Sequence, residues 1–108
     1  MASRVFDLLM NKGLIRGSVV QSLAGHDRAR AFLVLKVDGC FAWLADGSSR
    51  LYERPKKKRI RHLRRLGSLK DPAQLDRVDR LGDAGQRDAA LRSLLDEFIA
   101  TNPLKEET

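Results

Sequence analysis

Two Asp-Gly dipeptides set the strongest limit on what this chain can fold into. Asp38-Gly39 separates the apolar run ending at Val37 from Cys40, and Asp46-Gly47 separates Ala45 from Ser48. Asp-Gly between β-type runs favours a two-residue hairpin, because both central residues must take positive φ. The spacing therefore predicts a three-stranded antiparallel meander over Ala31–Val37, Cys40–Ala45 and Ser48–Glu53. Upstream, Ser18–Leu23 is a further β-type run, followed by the polar loop His26–Arg30. Downstream, Pro55 ends the third strand, because it has no amide to give to a ladder. After a Lys56-Lys57-Lys58 turn, Arg59–Leu63 forms a last strand. Five short strands in so few residues are expected to roll into a small barrel, which removes exposed edges.

Charge is distributed unevenly over this pattern. The formal net charge is +7. Residues 50–65 hold nine Lys/Arg against the single acid Glu53, while residues 66–108 hold six Lys/Arg and nine Asp/Glu. A confined block of one sign attracts polyanions, whereas an even spread serves mainly solubility. Arg50, Arg54, Lys56, Lys57, Lys58, Arg59, Arg61, Arg64 and Arg65 make up the block. Phosphate backbones reward such clustering, because each neutralised phosphate releases condensed counterions. On a strand, Arg59 and Arg61 share one face and Ile60 takes the other. The ordinary alternative is a solvated face or loose loop, but a merely soluble surface mixes its signs.

Smaller signals join the block. Arg28 and Arg30 alternate within the loop, which gives a second phosphate contact; alternatively, this is a plain hairpin loop in which Asp27 bonds its own backbone. Phe41 and Trp43 share a strand face, and with so few aromatics most are expected in the core. Base stacking falls to Trp43 or Tyr52, with Tyr52 the better placed between Arg50 and Arg54. His62 reads as a polar contact. No catalytic set has motif support, so the chain reads as a non-enzyme with no cofactor, no metal site and no small-molecule substrate.

The 108 residues suffice for one domain. Cys40 is the only cysteine, so no internal disulfide can form, which points to a reducing compartment. Residues 1–15 read as an extension. Its apolar stretch from Val5 is interrupted by Asp7 and then by Lys12, as a signal peptide would not be. No run reaches the roughly 18 apolar residues of a membrane span. A cytoplasmic protein is therefore expected. The tail from residue 67 is helical in pattern. Asp71-Pro72 opens a short run through Leu75, Val78 and Leu81. A main helix of about 86–100 carries the stripe Leu91, Leu94, Leu95, Phe98 and Ile99, with Asp83 and Gln86 as a capping box. That stripe either packs on the barrel or is offered to a protein partner. Lys105–Thr108 is expected to fray.

These residues carry a likeness. Val19–Arg30, with Gly25, His26, Asp27 and Arg28 in its loop, resembles a KOW motif, and Phe32–Val37 resembles its second strand. The continuation through Val37-Asp38-Gly39, Leu44–Gly47, Leu51, Glu53–Lys58 and His62-Leu63 resembles bacterial KOW-domain RNA-binding proteins. These in turn are similar to large-subunit ribosomal proteins of archaea and eukaryotes. The resemblance covers about residues 16–65. It implies an SH3-like barrel over 16–66 and binding to structured RNA, ribosomal RNA in particular, with ribosome association. It extends a role to Gly25, Asp27, Arg28, Arg54–Lys58 and His62. One position departs from the pattern: where the motif repeats glycine, this chain has Ala29, which is strained if the site needs positive φ. The rival reading is an SH3-like protein-interaction adaptor in the translation or transcription machinery. DNA binding is a third.

Overall fold

The computed structural model describes residues 13–102. Residues 1–12 of the extension expected over 1–15, and the frayed end expected at Lys105–Thr108, lie outside them. Five strands form one antiparallel sheet: β1 (Ser18–Ser22), β2 (Ala31–Asp38), β3 (Phe41–Ala45), β4 (Lys56–Arg59) and β5 (Leu63–Ser68). Their spatial order is β4-β3-β2-β1-β5. Two helices follow, α1 (Ala73–Asp79) and α2 (Ala84–Thr101).

Two edge strands of a flat five-stranded sheet stand about 19 Å apart. Here β4 ends at Arg59 and β5, on the opposite edge, starts at Leu63. Four residues reach about 14 Å at most, so the sheet has to curl. A single 3-10 turn, Ile60–His62, makes the crossing. It is tied at both ends: Ile60 N–H donates to the Cys40 carbonyl at 2.8 Å, and Leu23 N–H donates to the His62 carbonyl at 2.9 Å. No ladder joins β4 to β5 among the described residues, so the sheet is curled and open. The expected closed barrel is reduced to this.

The curl divides the apolar residues into two layers. Inside it, Val20, Phe32, Val34, Ala42 and Leu44 pack with Leu14, Ile60 and Leu63. On the outer face, Val19, Leu33, Leu35 and Ala45 pack against Leu75 and Val78 of α1 and Leu91, Leu95 and Phe98 of α2. Strands β1 and β2 are thus covered on both sides, which is why Phe32–Leu35 is an unbroken buried run rather than an alternating one. The stripe on α2 packs on the sheet, with Leu94 half-buried and Ile99 39% exposed. Asp83 caps this helix, accepting from Gln86 N–H at 3.0 Å. Asp71 accepts from Ala73 N–H at 3.0 Å at the start of α1.

The meander differs from the sequence expectation in three places. Asp38 pairs with Phe41, so the first turn is Gly39-Cys40. Gly39 has φ of 60° and Cys40 is not in the positive region, the type II′ pattern rather than I′. Second, Asp46-Gly47 makes no hairpin, and Ser48–Glu53 is not a strand. The Asp46 carboxylate accepts from Ser48 N–H at 2.9 Å, Arg50 N–H at 2.8 Å and the Ser49 hydroxyl at 2.8 Å. A side chain that satisfies the backbone just ahead of it competes with a ladder. The chain then loops across to α2, where Tyr52 N–H donates to Asp88 at 2.8 Å. Third, Lys56-Lys57-Lys58 is not a turn but most of β4, which pairs with β3 from Leu44↔Lys56 to Phe41↔Arg59. Lysine suits a solvated edge strand, because its charge discourages pairing with another chain. Arg59 therefore ends one strand, Ile60–His62 forms the crossing, and Leu63 opens the next. Arg59 and Arg61 do not share a strand face, although Ile60 is fully buried as its anchor role required.

The loop between β1 and β2 is held by Ala29 N–H donating to the Ser22 carbonyl at 2.8 Å and Ser22 N–H to the Arg30 carbonyl at 3.0 Å. These bonds fix Ala29 at φ 72°, where a side chain costs about 1–2 kcal/mol. Glycine loses more unfolded-state entropy, which offsets part of that. Ala29→Gly is expected to raise stability by about 0.5–1 kcal/mol in urea denaturation; a loss of stability would show that the loop relaxes out of this conformation.

Candidate nucleic-acid interface

The block from residue 50 to residue 65 divides into half-buried fastenings and exposed cations. Arg50 belongs to the first kind. Its guanidinium holds one oxygen of Asp27 through Nη2 at 2.8 Å and Nε at 3.3 Å. Asp27 is only 6% exposed. Burial alone would raise its carboxyl. The hydrogen bond and charge of Arg50, with the charges of Lys58 and Lys56, outweigh that and hold it below the ordinary 3.8. Asp27 thus fastens the loop to Arg50 instead of bonding its own backbone. Lys58 is a second fastening: its Nζ donates to the Ser22 hydroxyl at 2.7 Å and the Ala24 carbonyl at 2.8 Å. Gly25, with φ of 76°, sits against that ammonium.

A carboxyl held low in the folded state stabilises above its unfolded pKa and loses that contribution as pH falls through the folded one. Asp27→Asn is therefore expected to cost about 1.5–3 kcal/mol at neutral pH, the range for a hydrogen bond to a charged group. The gap between variant and wild type should close progressively as pH drops below the ordinary 3.8. Denaturation curves across pH 2–7 would check this; a gap independent of pH would mean that the ion pair adds nothing to the fold.

The remaining cations of the block are exposed. Arg54, Lys56, Lys57, Arg59, Arg61, Arg64 and Arg65 all face solvent, as do Arg28, Arg30 and His26 in the loop. Among the described residues, none of these arginines or lysines is paired with a carboxylate. The acids pair elsewhere: Asp79 and Asp76 with Arg16, Asp71 with Arg77, and Glu53 with Arg87. Arg65 Nη2 donates to the Ser68 hydroxyl at 3.0 Å. His62 is half-buried, and its backbone carbonyl rather than its ring makes the contact with Leu23.

Tyr52, the aromatic that sequence position favoured for stacking, is engaged in the fold. Its hydroxyl donates to Asp79, and Arg87 lies 5.6 Å from its ring centre. Burial, then the hydrogen bond to Asp79, pushes its hydroxyl above the ordinary 10.0. Phe41 and Trp43 are placed otherwise. Ala45, on the same face of β3, lies in the core beneath the helices, whereas Phe41 and Trp43 are half-buried with cations over their rings. Lys57 Nζ is 4.3 Å from the Phe41 ring centre and 5.4 Å from that of Trp43. The Arg59 guanidinium is 5.1 Å from Phe41, and Lys36 Nζ is 4.9 Å from Trp43.

Lys36 carries no signal in the sequence, being one lysine at the end of an apolar strand. A bulge brings it in. The ladder runs Leu33↔Ala45, Val34↔Leu44, then Lys36↔Trp43. Leu35 is the extra residue, and the shift sets Lys36 opposite Trp43.

No family model matches the sequence, and no curated protein matches it. Among the described residues, no helix is long and apolar enough to cross a membrane.

Proposed function

We propose that this chain is a non-enzymatic RNA-binding module on an SH3-like scaffold of the KOW type, contacting RNA phosphates from its curled sheet. Ribosomal RNA is the target its sequence likeness favours. One observation carries the reading. The exposed cations of residues 54–65 have no carboxylate partner among the described residues, while Asp71, Asp76, Asp79 and Glu53 pair with arginines outside that block. A surface built for solubility would intersperse the two signs. Here these four acids are drawn to the helical side and the cations are left to an external anion.

The contacts fall into two groups. Lys56, Lys57, Arg59, Arg61, Arg64 and Arg65 run from one edge strand through the 3-10 turn to the other, with Arg54 just before them. Arg28 and Arg30 add the β1–β2 loop, which the Asp27–Arg50 pair and Lys58 hold in place. Arg50 and Lys58 therefore act as positioning residues. Phosphate contacts carry little base information, so these cations supply affinity rather than sequence choice. The test is binding to ribosomal RNA across a salt series, comparing wild type with a variant in which Lys56, Arg61, Arg64 and Arg65 are serine. The wild type should bind with a steep salt dependence that the variant loses in large part. Absence of RNA binding by the wild type at low salt would overturn the reading.

A further inference from the structure

We propose that the outer face of β2, β3 and β4 is a subsite for unpaired bases of single-stranded RNA, with Trp43 as the stacking surface and Lys36, Lys57 and Arg59 as its phosphate clamp. This rests on the RNA-binding reading and adds to it the form of RNA taken at this face.

The argument starts from the register. Trp43 lies opposite Lys36 on one neighbouring strand and Lys57 on the other, and Phe41 lies opposite Arg59. The two rings and three cations thus form one continuous patch. Both rings are half-buried at a place the helices do not cover. An aromatic left at the surface has its π-face available, and a cation over it gains only about 0.5–1 kcal/mol at an exposed site. Lysine ammoniums on flexible stems are displaced from such a position more readily than a packed apolar side chain would be. A base sliding onto Trp43 would take the place of Lys36 and Lys57 over the ring. Those ammoniums would then meet the phosphates flanking that base. Neither they nor Arg59 has a carboxylate to release among the described residues.

The combination selects against a duplex. Aromatic stacking platforms beside cationic grooves serve single strands, because stacking needs a base face that pairing and helical stacking hide. The exposed arginines of β5 and the 3-10 turn need no such face and serve either form. A double-stranded segment held by those cations, with an unpaired stretch laid across β3, fits both surfaces.

Trp43 is the chain's only tryptophan, so its fluorescence reports on this patch alone. The experiment titrates the full chain with oligoadenylate, with the same strand annealed to oligouridylate, and with inorganic polyphosphate. Oligoadenylate is expected to quench the emission and shield the ring from acrylamide, while the duplex and polyphosphate do neither. Trp43→Leu should lower oligoadenylate affinity by about tenfold and leave polyphosphate affinity unchanged, with Trp43→Tyr retaining most of the binding. Equal responses to polyphosphate and oligoadenylate would overturn the subsite, as would normal oligoadenylate binding by Trp43→Leu. In both cases ribosomal RNA binding by the wild type would leave the broader reading standing. Failure of the wild type to bind any RNA would overturn both. The wild-type quenching and shielding decide the matter even if Trp43→Leu does not fold.

Discussion

Gly47→Ala is expected to destabilise the fold by roughly 3–5 kcal/mol, from backbone strain and overpacking together. Gly47 has φ of 78°, and a Cβ added there would lie 2.2 Å from the backbone oxygen of Asp88, 3.0 Å from its carbonyl carbon and 3.2 Å from Cγ of Arg92. The first two atoms belong to the backbone of α2 and cannot swing aside. The loop and the helix would have to part. That would loosen two bonds between them: Arg92 Nη1 to the Gly47 carbonyl, and Tyr52 N–H to Asp88. Gly82→Ala is the matched control, since nothing lies within 4 Å of its added Cβ. It should change stability by no more than about 0.5 kcal/mol. Urea denaturation of the two variants side by side gives the comparison. Equal effects would mean that the 46–55 loop does not rest on α2.

Replacing Lys56, Arg61, Arg64 and Arg65 by serine is expected to remove up to four phosphate contacts and make the log–log salt slope of RNA binding shallower by about 3. Between 50 and 200 mM salt, wild-type affinity should then fall about 50–150-fold further than that of the variant. The four residues are exposed and outside the hydrophobic layers, so the variant should keep its thermal unfolding transition. Arg61, Arg64 and Arg65 lie off β3 and β4, and Lys56 pairs with Leu44 on the strand face opposite Trp43, so the ring and its cations stay in place. A parallel variant, Lys58→Ser, should behave differently. It loses the bonds to Ser22 and Ala24, so its main effect is on stability, with a change in slope of no more than about 1. Salt slopes identical in wild type and the four-residue variant would place the RNA contacts elsewhere on the surface.

The apolar pattern and the charge distribution were legible without coordinates. The runs Ser18–Ser22, Ala31–Asp38 and Phe41–Ala45 are β-rich and short, and they are strands within a residue or two of expectation. The 3.6-residue stripe on α2 and its Asp83 cap are local signals, and both appear. Ala29 stands where the motif it resembles repeats glycine, and its φ is positive. Where the reading failed, a side chain or a distant element overrode a local rule. Asp46 satisfies three groups ahead of it and removes the hairpin that Asp-Gly favours. Asp88 and Arg92, some forty residues further on, receive that loop. Three adjacent lysines look like a turn because no apolar residue marks an inward face, yet β3 supplies the ladder that makes them a strand.

By itself the sequence determined that the chain would form short antiparallel strands with a helical tail, and that its cations would gather in one block. These depend on near neighbours: alternation, turn residues, caps and local charge density. Only the tertiary structure decided which cations are available. Arg50 and Lys58 are consumed by Asp27, Ser22 and Ala24, because the curl of the sheet brings β4 and the 46–55 loop against the β1–β2 loop. Lys36 joins the surface because a one-residue bulge shifts the register opposite Trp43. Charge can be counted along a chain, but whether it is paired depends on contacts across twenty to forty residues, and those exist only once the sheet has curled.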